Sequence, residues 1–245
     1  MKGAVAVTRP DGGPEVLAAE VPVALVFDGT TQAVMMATPD DLGDFLIGFA
    51  LSEGLIARPA EILRREIVEQ PGGIEARAWL AAPASARFAE RRRATVGPVG
   101  CGLCGIDSLA QALRPLPGTR ARPLSTASGT RALDALRAAQ PLQDATRACH
   151  AAGFWTEGGG LVLLREDIGR HNALDKLAGA LAAAGIAPGS GAVVMTSRLS
   201  VDLVQKAAII GAGALIAPSA PTALAVEQAQ AAGLPLIARS PRENR

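Results

Sequence analysis

The stretch VGCGLCGIDS, residues 99–108, sets two thiols, Cys101 and Cys104, in a C-x-x-C pattern between glycines. Three chemistries use such a pair: metal ligation, dithiol–disulfide exchange, and transfer of a group through a nucleophilic thiolate. The glycines permit tight turns and leave the sulfurs uncovered. A helix beginning in IDSLAQAL would add N–H groups and a dipole that favour a thiolate. A structural zinc site needs four ligands, and only Cys149, His150 and His171 are comparable additional donors. No βαβ start precedes the pair, as a thioredoxin-like exchange motif would require. Nucleophilic sulfur chemistry is the reading that needs nothing further.

A second group lies in LLREDIGRHNALDKLAGA, where Glu166, Asp167, Arg170, His171, Asn172, Asp175 and Lys176 crowd a strand-to-helix junction. Such junctions at the carboxyl ends of strands hold ligands in α/β proteins. His171 near a helix N-terminus suits a phosphate contact or a proton transfer. The alternative is a charged helix cap with local pairs Arg170/Asp167 and Asp175/Lys176. A third group, Ser197, Arg198 and Ser200 in MTSRLSVDLVQKAA, occupies another strand-to-helix turn suited to an anion, without a Walker pattern. Ser219 and Thr222 flank a proline-bounded helix entry, and ARSPRENR sets Arg239 and Arg242 after the last strand. TRACHAAG places Cys149 beside His150, but Ala152 stands where a zinc deaminase needs its Glu, and the C-x-x-C precedes the His.

The elements that must position these residues follow from periodicity and turn chemistry. AEVPVALVFDGTTQAVMMAT reads as two strands joined by an Asp-Gly turn. TPDDLGDFLIGFALSEGLI reads as a helix with Thr38 as N-cap, Pro39 at its first position and Gly54 at its end. Gly43 and Gly48 inside that helix predict close packing. Two strands are expected over 62–69 and 74–81. RPLPGTRARPLSTASG, residues 114–129, has no periodicity and reads as a domain linker. Beyond it GGLVLLRED and GAVVMTS read as buried strands and ALIAPS and PLIARS as short ones. They alternate with helices in HNALDKLAGALAAAG, SVDLVQKAAIIG and APTALAVEQAQAAG, which argues for an α/β layer sandwich.

Composition narrows the function classes. The 245 residues are 49% hydrophobic but 3% aromatic, with no Tyr, so Ala, Leu and Val supply the core. Three cysteines are too few and odd in number for a disulfide scaffold. No apolar run reaches the roughly 18–20 residues that span a bilayer, and the N-terminal segment is a poor signal peptide. Cytoplasmic location without membrane association is therefore the expectation. The net charge of +1 hides an acidic stretch over 1–57 and a basic one over 58–147. Of the 24 cations only Lys2, Lys176 and Lys206 are Lys, and Arg suits bidentate capture of phosphate or carboxylate. Near-neutral charge without interleaved aromatics argues against nucleic acid as a partner.

Taken together, TPDDLGDFLIGFALSEGLI, CGLCG, EDIGRHNALDKLAGA, SRLSVDLVQKAA and SAPTALAVEQAQAAGLPLI resemble the formate dehydrogenase accessory sulfurtransferases, over residues 21–236. The resemblance implies a two-domain α/β protein. Residues 1–120 would form a smaller α+β domain ending in the CxxC loop and linker. Residues 121–245 would form a three-layer α/β/α sandwich of cytidine-deaminase-like fold. It implies a sulfurtransferase that takes persulfide sulfur from a cysteine desulfurase. The sulfur passes to a molybdenum or tungsten bis(molybdopterin guanine dinucleotide) cofactor before insertion into formate dehydrogenase. The protein itself would hold no tightly bound metal, and a homodimer would suit such a relay. Cys101 and Cys104 would be the catalytic pair. Arg170, His171, Asn172, Ser197, Arg198, Arg239, Ser240, Pro241 and Arg242 would meet the cofactor. The chain departs from the family's usual small residue after Thr146 (Arg147 here), lacks the usual Gly in SRLS, and has a shorter C-terminal tail. The alternatives are a cofactor-delivery chaperone without sulfur chemistry and a zinc-binding protein.

Overall fold

The computed structural model describes residues 3–94 and 115–238. The expectations on Cys101, Cys104, Arg239, Ser240, Pro241 and Arg242 therefore fall outside the described residues. A two-stranded hairpin, β1 (Ala4–Thr8) and β2 (Pro14–Ala18), opens the chain and was not legible beforehand. A four-stranded sheet follows, built from β3 (Val21–Phe27), β4 (Thr30–Ala37), β5 (Ile62–Gln70) and β6 (Gly73–Leu80) in the order β4-β3-β6-β5. The Asp28-Gly29 turn has positive φ at both residues (48° and 75°), the geometry that lets a two-residue loop follow strand twist.

One face of this sheet is covered by α1 (Leu42–Ser52) and α2 (Ala82–Ala94). Val23, Leu25 and Phe27 alternate inward along β3 and meet Phe45, Leu46 and Phe49 of α1. Phe27 stacks on Phe49 with ring centroids 6.3 Å apart and meets the edge of Phe88 at 5.9 Å.

The start of α1 corrects the expected cap. Asp41, in left-handed conformation (φ 55°), stands at the N-cap and makes no side-chain cap bond. Thr38 is committed elsewhere: its N–H donates to Asp167 and its hydroxyl accepts from the Ile168 N–H. Its carbonyl accepts from Lys176 Nζ. These tertiary bonds outweigh a local cap, and the helix begins three residues later than Pro39. Its end is as expected, at Gly54 with φ 71°.

The second half holds α3 (Thr126–Ala138), α4 (Pro141–Thr146), β7 (His150–Thr156), β8 (Gly160–Asp167) and α5 (Arg170–Ala183). It continues with β9 (Ala192–Met195), α6 (Val201–Ile209), β10 (Ala214–Ala217), α7 (Ala223–Ala232) and β11 (Leu236–Ala238). The strands form a mixed five-stranded sheet in the order β11-β10-β9-β7-β8, with β9, β10 and β11 parallel and β7 antiparallel to both neighbours.

Alternate residues face opposite sides. Ala152, Phe154, Val193, Met195 and Leu215 pack with α5, α6 and α7. Ala151, Trp155, Val194, Ala214 and Ile216 pack with α3. β8 was expected to be buried, but it forms an edge of the sheet and is mostly half-buried.

The stretch expected as a linker is irregular only up to Ser125, whose hydroxyl caps α3 by accepting from Ser128 N–H. Thr119 and Arg122 donate backbone N–H groups to Ala232 and Gly213, so the segment lies along the second sheet's layers.

The two halves meet where α1 crosses α5. A Cβ on Gly48 would overlap the Asp175 carbonyl, and one on Gly179 would overlap that of Asp44. Gly43, also expected to mark close packing, has open space around it.

Candidate functional site at the carboxyl edge of the second sheet

The chain direction of the second sheet brings the ends of β8, β9, β10 and β11 and the start of β7 to one edge. Asp167 closes β8 opposite His150, which opens β7. Asp167 is fully buried, and four donors converge on its carboxylate. Oδ2 accepts from Thr38 N–H at 3.0 Å and pairs with Lys176 Nζ at 2.7 Å. Oδ1 accepts from Gly169 N–H at 2.8 Å and from Asn172 Nδ2 at 2.9 Å. Asn172 spends its other amide hydrogen on the Met36 carbonyl, so it ties the start of α5 to the end of β4. The charged framework fixes the helix N-terminus on which Arg170 and His171 stand.

The local pairing expected from sequence gives way here. Lys176 pairs with Asp167, and Asp175 with Lys206 of α6. Adjacent helical residues point about 100° apart and cannot face each other. Lys206 Nζ lies 3.0 Å from Asp175 Oδ2 and 2.8 Å from Glu53, and donates to Ser52 Oγ. Burial alone would lower the Lys206 ammonium, but the Asp175 and Glu53 charges hold it above the usual lysine range.

His171 Nε2 meets the Asp202 carboxylate in the first turn of α6. Burial alone would raise the Asp202 carboxyl. The hydrogen bond and charge of His171, with a bond from Ser200, hold it below the usual carboxylate range. This pair joins the N-termini of α5 and α6. Ser197 is buried and donates to the Arg198 carbonyl, while Arg198 is exposed.

Arg170, His171, Ser197 and Arg198 therefore share one edge, and Asn172 lies beneath them in the framework. Thr222 caps α7 by accepting from Ala225 N–H, the structural half of its expected reading.

Asp202 and Thr196 were not singled out from sequence. Asp202 carried one available signal, an acid in the first turn of a helix. Thr196 is recognisable only from the fold. It accepts from Ala151 N–H at 2.9 Å, and its hydroxyl stands 3.3 Å from His150 Nδ1. Burial, then the nearby charge of Arg170, lowers the His150 pKa and favours the neutral imidazole. Cys149 is buried with its thiol pushed up by burial, the opposite of an activated thiolate. Glu166 is spent on the N–H groups of Leu142 and Gln143 at the start of α4. Among the described residues no group of three or more His, Cys, Asp or Glu side chains is arranged to hold a metal ion.

A sheet edge built this way, with two helix N-termini, arginines and hydroxyls, suits phosphorylated ligands. The FdhD/NarQ family model matches residues 18–245. The chain belongs to the FdhD/NarQ family. Among its relatives is the sulfur carrier protein FdhD of Agrobacterium fabrum, 49% identical over 231 residues, covering 94% of this chain and 85% of that protein. The same-named protein of Cupriavidus necator is 49% identical over 91% of this chain and 78% of its own length. The crystal structure of a candidate formate dehydrogenase accessory protein from Desulfotalea psychrophila superposes with a TM-score of 0.69 at 28% identity. That match covers 98% of this chain and 93% of the other. The FdhD/NarQ match spans both sheets, so the α1–α5 crossing and the buried Asp167 framework lie inside the family region. Among the described residues no helix is long and apolar enough to cross a membrane.

Proposed function

We propose that this protein is a sulfur carrier that serves formate dehydrogenase maturation. The observation that carries the reading is the 49% identity, over 94% of the chain, to a relative named sulfur carrier protein FdhD. The CxxC pair supports it as a chemical means. The Cys101 thiolate attacks the outer sulfur of a persulfide on a cysteine desulfurase. A new S–S bond forms at Cys101 while the old one breaks, and the desulfurase thiolate leaves with its electron pair. Cys104 assists release of the sulfur or stabilises it while bound.

The recipient, as cargo, is the molybdenum or tungsten bis-guanine-dinucleotide cofactor, before its insertion into formate dehydrogenase. Arg170, His171, Ser197 and Arg198 face the cofactor's phosphates from the sheet edge, and Arg239, Ser240, Pro241 and Arg242, outside the described residues, are assigned to the same ligand from the sequence. Asn172 holds the edge in place. This reading keeps a domain division at residue 120, a deaminase-like second domain, a cytoplasmic setting and a homodimer.

The test is formate dehydrogenase activity in cells lacking this protein. Wild type is expected to restore it, and the Cys101→Ser/Cys104→Ser variant is expected not to. Full restoration by that variant would replace the relay with a cofactor-delivery chaperone. Stoichiometric zinc in the purified protein would instead revive the metal-binding reading.

A further inference from the structure

At the opposite edge of the second sheet, where β7 ends and β9 begins, a cavity of about 1140 Å³ opens beside the irregular segment 118–125. Part of its lining is bare backbone, because Gly189, Gly191 and Gly211 bring no side chains to fill it. Trp155, Pro123 and Leu124 add apolar wall.

The charge in this cavity is one-sided. Glu157, the one carboxylate among its described residues, is taken up by Arg131 and by the Ser128 hydroxyl. Arg122 is aimed by its Nε, which donates to the Gly189 carbonyl at 3.1 Å and leaves the two terminal nitrogens of the fork to other partners. Among the described residues neither Arg120 nor Arg122 has an ion pair, and both are exposed. The helix α3 begins at the same wall, capped by Ser125, so the positive end of its dipole adds to the two cations.

The backbone of segment 118–125 has bonding capacity of its own. Thr119 and Arg122 spend their N–H groups on the Ala232 and Gly213 carbonyls. Between them, the N–H groups of Arg120 and Ala121 have no partner among the described residues. An extended chain laid alongside would meet free main-chain donors, the basis of recognition by strand addition.

We propose that this cavity docks an extended acidic segment of a protein partner. Its carboxylates sit on Arg120 and Arg122, and its apolar side chains lie against Trp155, Pro123 and Leu124. A planar guanidinium matches the two oxygens of a carboxylate as a pair. Sites for single small molecules run to roughly 300–1,000 Å³, so the cavity has room for several residues of a chain. The inference does not rest on the proposed function and holds whether or not the protein carries sulfur.

The test is fluorescence anisotropy of a labelled short peptide alternating Glu and Leu, titrated with the full chain at fixed ionic strength. Saturable binding is expected for wild type, weakened about tenfold or more in Arg120→Ala and in Arg122→Ala. Both residues are exposed, so the melting temperatures of these variants are expected to match that of wild type. A peptide alternating Gln and Leu is expected to bind about tenfold more weakly. Unchanged affinity in both arginine variants, or equal binding of the Gln peptide, would overturn the inference. An equal loss in Arg137→Ala, at the other edge of the sheet, would reduce the binding to general charge attraction and overturn it too. Competition by free glutarate as effective as that by unlabelled peptide would replace the docked segment with a small carboxylate. No persulfide, cofactor or dehydrogenase enters the assay, so its failure leaves the proposed function standing.

Discussion

Asp167 and Lys176 form a completely buried ion pair, 2.7 Å apart, between the last residue of β8 and the second turn of α5. Each partner also binds Thr38, from the segment that leads into α1. One charge pair thus locks the first half of the chain to the helix that presents Arg170 and His171. Removing one partner of a buried pair strands the other, at about 3–5 kcal/mol. Lys176→Met is expected to lower stability by that amount in urea unfolding, and Asp167→Asn/Lys176→Met to recover a substantial part. If the single variant unfolded at the wild-type urea concentration, the lock would not exist.

The crossing of α1 and α5 depends on two glycines and not on a third. Gly48→Ala forces a methyl group into the Asp175 carbonyl and is expected to cost about 1–3 kcal/mol or more. Gly43→Ala meets open space and gains helix propensity, up to about 1 kcal/mol. Opposite shifts of the two melting temperatures would bear this out, and equal shifts would refute it.

The His171–Asp202 contact makes stability depend on acid. The folded Asp202 carboxyl titrates below its unfolded range near pH 4, so its contribution is complete above that range. It is lost as pH falls through the folded value, where the folded carboxylate finally takes a proton. The stability difference between wild type and Asp202→Asn is therefore expected to hold steady just above about pH 4 and to shrink progressively in stronger acid. A difference that does not change on going into acid would show that the contact contributes nothing.

Arg198 is exposed, so Arg198→Ala is expected to leave unfolding within about 0.5 kcal/mol of wild type. Under the proposed function the same variant delivers cofactor poorly, and formate dehydrogenase activity in complemented cells falls about tenfold. Full activity with unchanged stability would remove Arg198 from the site.

Legibility in the sequence followed the range of the interactions. The Asp28-Gly29 hairpin, the strand pair over 62–80 and the helices from Arg170 onward were readable because turn chemistry and apolar period are local signals. Thr38 was misread because its bonds run to Asp167 and Lys176, far away in the chain, and no local pattern carries them. The same holds for Thr196 against Ala151 and for Lys206 against Asp175. β7 escaped notice because HAAGFWT shows no apolar–polar alternation: both of its faces are buried, with Phe154 and Trp155 in opposite cores, as in a central strand between two helix layers. Of the candidate site, Arg170, His171, Ser197 and Arg198 were found from motif and turn, while the framework beneath them needed the fold.

The relay itself is tested most directly by mass spectrometry of the purified chain after incubation with a cysteine desulfurase and cysteine. A gain of about 32 Da, one sulfur atom, is expected on the peptide holding Cys101 and Cys104, and it should vanish in Cys101→Ser. The Cys149 peptide is expected to stay unmodified, since burial keeps that thiol protonated. An unmodified Cys101–Cys104 peptide, or sulfur carried on Cys149 instead, would contradict the account.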